Sequence, residues 1–177
     1  MADDRLSILN PRPKRLPGPQ LLHQLINRSE PSDKIAIEHH STDGTSEHFT
    51  YDQLQQVSDA LAFKIRASST LRGPPKANYF IVPCLIPHSL ELYVAQIAIL
   101  KAGGAFCPIP LDAPEERLRF ILQDVGASLL LTVPSTGSQL PQLGGVETLE
   151  VSLGALVGDS EALPALDTRP SQAAYIM

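Results

Sequence analysis

The 177-residue chain has only two cysteines, no tryptophan and no excess of positive charge. Each shortage excludes something. Cys84 and Cys107 are too few for a disulfide scaffold, and both fall in apolar, strand-like runs. A thiol there packs as a small hydrophobe, so both are expected to be buried and free. Fourteen Lys and Arg against nineteen Asp and Glu give a net charge of −5, without the clustered basic face that nucleic acid requires. The one basic cluster, Arg12, Lys14 and Arg15, is interrupted by Pro11 and Pro13 and reads as an extended, solvated leader. No apolar run approaches the roughly 20 residues that span a bilayer, so no membrane partner is expected. The N-terminus, MADDRLS, lacks the basic and apolar segments of a signal peptide, which makes the cytoplasm the expected location. Neither G-x-x-x-x-G-K-[ST], G-x-G-x-x-G nor G-x-S-x-G occurs.

What is present is a 43% hydrophobic composition, ample for the core of one domain. Residues 1–15 read as a flexible arm. Pro19 suits a helix start, and Leu21, Leu22, Leu25 and Ile26 form the stripe of a short helix. Residues 34–38 read as a strand, Thr42-Asp43-Gly44-Thr45 as a turn, and 47–50 as the returning strand of a hairpin. Thr50 with Gln53 three residues on is a capping box. It opens a long helix with Leu54, Val57, Leu61 and Ile65 on the packed face and Gln55, Gln56 and Asp59 in water. Gly73-Pro74-Pro75 then turns the chain into a strand over 79–82.

Residues 88–132 are the most informative: helix, short strand, helix, strand. Ser89 is placed to cap the first helix and Gly103 to end it; Asp112 and Pro114 suit the start of the second, and Gly126 its end. Glu115 and Glu116 sit where the helix dipole favours anions. In the first helix Glu91, Gln96 and Lys101 spread around the axis, so its apolar residues need cover on several sides, from a complete sheet or a partner. Residues 134–145 read as a surface loop, 146–153 as a further strand, 154–170 as a connector and 172–177 as an apolar strand. Helices alternating with short β-rich runs imply an α/β fold: a parallel-sheet layer with flanking helices.

None of the candidate chemistry rises to a catalytic, cofactor or metal assignment. His39, His40 and His48 lie near Glu38, Asp43 and Glu47, but adjacent residues on a strand face opposite ways and no metal-ligand spacing is present. His88 and Ser89 are neighbours at a helix start, a poor geometry for a nucleophile and its base. Gly103-Gly104 follow a helix, whereas phosphate loops precede one. Lys101 suits a helix C-terminus, and Arg117 and Arg119 read as surface or ion-pair residues rather than substrate clamps.

The wording of three segments carries more. LKAGGAFCPI, followed by APEERLRFIL and ASLLLT, resembles the second conserved block of the adenylate-forming superfamily. FTYDQLQQVSDALAFKI resembles the first, and LPGPQLLH is similar to the opening of fungal nonribosomal peptide synthetase adenylation domains, siderophore types included. Pro110 and Cys107 depart from common residues of the pattern, at positions without chemistry in the family. The resemblance implies that residues 16–177 form the N-terminal subdomain of the adenylate-forming fold. It implies, for the complete enzyme, ATP and Mg²⁺, an aminoacyl-AMP, and loading onto a carrier-domain thiol. In relatives the phosphate-cradling loop follows a strand such as 172–177. The chain is therefore expected to be a truncated, inactive portion, with the remainder of a synthetase or a carrier domain as its partner. A separate non-catalytic module that pairs with a synthetase chain, or the beginning of an acyl-CoA ligase, are the alternatives.

Overall fold

The computed structural model describes residues 21–26, 32–41, 43–68, 71, 79–138, 140–156 and 168–177. The arm at 1–15 and the Gly73-Pro74-Pro75 turn lie outside these, as does most of the connector. A 3-10 turn at Leu22–Leu25 is followed by an antiparallel hairpin, β1 (Ile35–His40) and β2 (Ser46–Thr50). The Asp43 carboxylate accepts from the Thr45 amide at 2.9 Å and its hydroxyl at 2.7 Å, while Gly44 takes a φ of 86°. That is the turn chemistry the four residues promised.

Helix α1 (Tyr51–Ala67) opens on the expected capping box: Gln53 N–H donates to Thr50 Oγ1 at 3.2 Å, and Thr50 N–H to Gln53 Oε1 at 2.9 Å. The main sheet follows: β3 (Ile81–Leu85), α2 (Leu90–Lys101), β4 (Ala105–Pro108), α3 (Glu115–Asp124), β5 (Leu129–Thr132), a short α4 (Pro134–Gly137), β6 (Glu147–Glu150) and a short α5 (Leu153–Leu156). The sheet is parallel, in the order β4-β3-β5-β6.

This order fixes the layers. The β3-to-β4 connection moves one way across the sheet, and β4-to-β5 moves back past β3. Right-handed crossovers travelling in opposite directions leave their helices on opposite faces. The core divides accordingly. Val82, Cys84, Leu129 and Leu131 pack with α1 and α2, whereas Leu85 and Leu130 pack with Leu118 and Leu122 of α3. Neighbouring strand residues thus serve different layers, as the pleat requires.

The expected strand at 79–82 instead runs over Ile81–Leu85, passing through Pro83. Proline donates no ladder bond, and registered pairing of β3 with β5 begins only at the next residue, Cys84. The 134–145 loop contains the one-turn helix α4, and its Leu140 and Leu143 join the α3 layer. Residues 172–177 form a single parallel bridge, Phe106 to Tyr175, rather than a full strand. Phe106 N–H donates to Ala174 O at 3.1 Å, and Ile176 N–H to Phe106 O at 2.9 Å. The cover that α2 required comes from within the chain, because α1 lies along it and the sheet supports it below.

Candidate functional site

In open parallel sheets ligands bind beyond the carboxyl ends of the strands, where neighbouring connections diverge. Here that point lies between β3 and β5. A cleft of about 320 Å³ opens there, lined by Leu85, Leu111, Ala113, Leu118, Leu140 and Pro141, with Glu115 and Thr136 as its polar members. Both are engaged. Thr136 Oγ1 donates to Leu85 O at 2.8 Å and accepts from Val133 N–H at 3.2 Å, tying α4 to the end of β3. Glu115 Oε1 accepts from Arg119 at 2.6 and 2.9 Å. Arg117 lies over the Phe120 ring, 5.5 Å from its centroid. The cleft mixes apolar side chains with polar surface, and its two polar side chains hold protein to protein.

The buried charge lies elsewhere. Lys101 is the last residue of α2, the helix end expected of it, and its side chain is only 5% exposed. Its ammonium donates to Asp59 Oδ1 at 2.8 Å, Ser58 Oγ at 2.9 Å and Gln55 O at 3.3 Å. Asp59, expected in water, is half-buried as its partner. Burial pushes the Lys101 ammonium below its usual range, and the hydrogen bond and charge of Asp59 oppose that. His23 faces the same pair; burial lowers its imidazole, Lys101 lowers it further, and Asp59 raises it. A signal for this cluster was available. Ser58 and Asp59 follow the packed Val57, and Lys101 is the one cation on a mostly apolar helix.

The remaining candidates resolve individually. Ser89 stands at the N-cap of α2, but its hydroxyl is buried and bonds nothing. The N–H it was expected to cap, that of Leu92, donates to Ser89's own carbonyl at 3.2 Å instead. His88 is not paired with Ser89; its Nε2 lies 2.7 Å from Tyr93 Oη. Gly103 ends α2 with a φ of 87°, and a Cβ on Gly104 would meet the Phe80 ring at 2.6 Å. The pair is a helix stop and close-packed junction. Cys107 is in register with Pro83, so it projects to the face opposite Cys84. Both thiols are buried and free, and burial raises both above the usual thiol range. Among the described residues no group of three or more His, Cys, Asp or Glu side chains converges. No helix there is long and apolar enough to cross a membrane.

Comparison with known proteins gives this fold its context. The sequence profile described as AMP-binding enzyme matches residues 25–175. The nonribosomal peptide synthetase SIDC of Beauveria bassiana is 45% identical over 175 residues, which is 97% of this chain and 3% of that protein. The siderophore peptide synthetase fer3 of Mycosarcoma maydis is 39% identical over 145 residues, 77% of this chain and 3% of that protein. The crystal structure of the nonribosomal peptide synthetase FmoA3 with bound α-methyl-L-serine-AMP superposes with a TM-score of 0.62 at 25% identity, covering 73% of this chain and 14% of that one. The chain therefore spans only a few per cent of the length of these two synthetases.

Proposed function

Because this chain belongs to the AMP-binding enzyme family, with fungal nonribosomal peptide synthetases among its relatives, we propose that residues 16–177 are the N-terminal scaffold of an amino-acid-adenylating unit. The complete unit would convert an amino acid and ATP to an aminoacyl-AMP and pyrophosphate, then pass the aminoacyl group to a carrier-domain thiol. The resemblance to fer3 favours siderophore assembly as the setting.

One observation supports assigning this portion a scaffolding role. The cleft at the sheet's carboxyl edge is lined by no cationic side chain, and its two polar side chains are bonded to Leu85, Val133 and Arg119. Triphosphate binding needs clustered backbone donors and cations, and magnesium needs oxygen ligands. The described residues do not fit that pair, so no catalytic step is assigned to them. The complementary elements would come from the remainder of a synthetase, as a partner or as continuing chain.

The test is amino-acid-dependent pyrophosphate exchange. The purified 177-residue chain is expected to give none with any proteinogenic amino acid, and clear exchange would overturn the assignment. The alternative, a separate non-catalytic module that pairs with a synthetase chain, has less support, since α1 lies along α2 and Tyr175 bridges to Phe106 of β4.

A further inference from the structure

The hairpin histidines considered from sequence are divided by the fold. His40 turns to the exposed side, with Nδ1 2.7 Å from Ser46 Oγ and Nε2 3.7 Å from Glu38. His39, half-buried on the other side of β1, meets His88 at the start of α2, their ring centroids 5.6 Å apart and their planes at 51°. We propose that His39 and His88 form a surface site for a divalent d-block cation such as zinc, clipping the β1–β2 hairpin to the N-terminus of α2.

Three observations carry this. Two imidazoles on one tetrahedral zinc, with Zn–N near 2.0–2.1 Å, hold their centroids about 5 Å apart. The 5.6 Å separation is within a small side-chain adjustment of that. Second, each ligand stands on ordered structure. His39 is registered opposite Glu47 in the hairpin, and His88 immediately precedes α2. Third, Tyr93 Oη engages His88 Nε2 at 2.7 Å and packs edge-on to its ring at 5.5 Å. A hydrogen bond that fixes one ring nitrogen and leaves the other as the ligand is the usual support of a metal-bound histidine. No third His, Cys, Asp or Glu of the described residues joins them, so water completes the coordination. Imidazole pairs suit zinc, copper and nickel rather than magnesium or calcium.

Zinc titration of the full 177-residue chain tests the site, followed by calorimetry and by the imidazole proton resonances. One saturable equivalent is expected, with the His39 and His88 resonances moving together and the melting temperature rising. His39→Ala and His88→Ala should each weaken that event at least tenfold, with backbone amide spectra confirming that both variants fold. The double variant His40→Ala/His48→Ala should stay within twofold of the parent, and magnesium should produce no response. Absence of saturable zinc binding would overturn the proposal, as would binding that follows His40 and His48 instead.

Discussion

Lys101 and Asp59 show how one contact couples two helices that are about forty residues apart in sequence. The ammonium is buried, while the carboxylate keeps 35% of its surface in contact with solvent. The two partners are therefore not equivalent to remove. Asp59→Ala leaves a buried cation with only Ser58 and a carbonyl, a loss of about 3 kcal/mol by analogy with broken buried pairs. Lys101→Met leaves a carboxylate that can rehydrate and a thioether that fills the same space. It is expected to cost about 1 kcal/mol or less. Urea unfolding with unchanged slope, comparing midpoints, measures both; equal losses would contradict the asymmetry. The sequence showed a lysine at a helix end, and local logic assigned it to the dipole. The partner that decides its position lies on another helix, so the two halves of the signal, Ser58-Asp59 after Val57 and the single cation of α2, are joined only in the fold.

Elements, by contrast, were largely legible, because caps and turns are short-range devices. Thr50 with Gln53, the Asp43-Gly44 turn, Gly103 and Gly126 all act as their residue types predict. The misses are at places where a neighbour overrides the local signal. Pro83 did not end β3, since the pairing with β5 starts beyond it. Ser89 did not cap α2, since its own carbonyl took the available N–H. The α2–β4 junction provides the prediction at this scale. A methyl on Gly104 would press on Phe80 at 2.6 and 2.9 Å and on Ile99 at 3.1 Å, so the ring must shift to admit it. Gly104→Ala is expected to destabilise by about 1–3 kcal/mol through overpacking. A thermal melt that rose instead would mean that Phe80 swings aside freely.

Among the described residues the main sheet carries α1 and α2 on one face, and α3 with Leu140 and Leu143 on the other. Leu131 sits in the α1 and α2 layer with no exposed surface, whereas Phe120 projects from α3 at 56% exposure. Leu131→Ala should cost about 2–5 kcal/mol through lost burial and the cavity left behind. Phe120→Ala, a larger truncation, should stay within about 1 kcal/mol, because little is desolvated and the Arg117 contact is exposed. Chemical denaturation of both variants checks the ranking. A Phe120 loss matching that of Leu131 would indicate a further covering layer over α3 in solution.

The amino-acid sequence by itself determined the α/β class, the identity of most elements and the family, because helix periodicity, caps, turns and conserved wording are encoded within a few residues of one another. Only the tertiary structure decided the strand order β4-β3-β5-β6, the burial of Lys101 against Asp59 and the meeting of His39 with His88. Those depend on which distant segments share a face. That choice is made by the direction of each crossover and by competition for apolar cover, neither of which leaves a local trace in the chain.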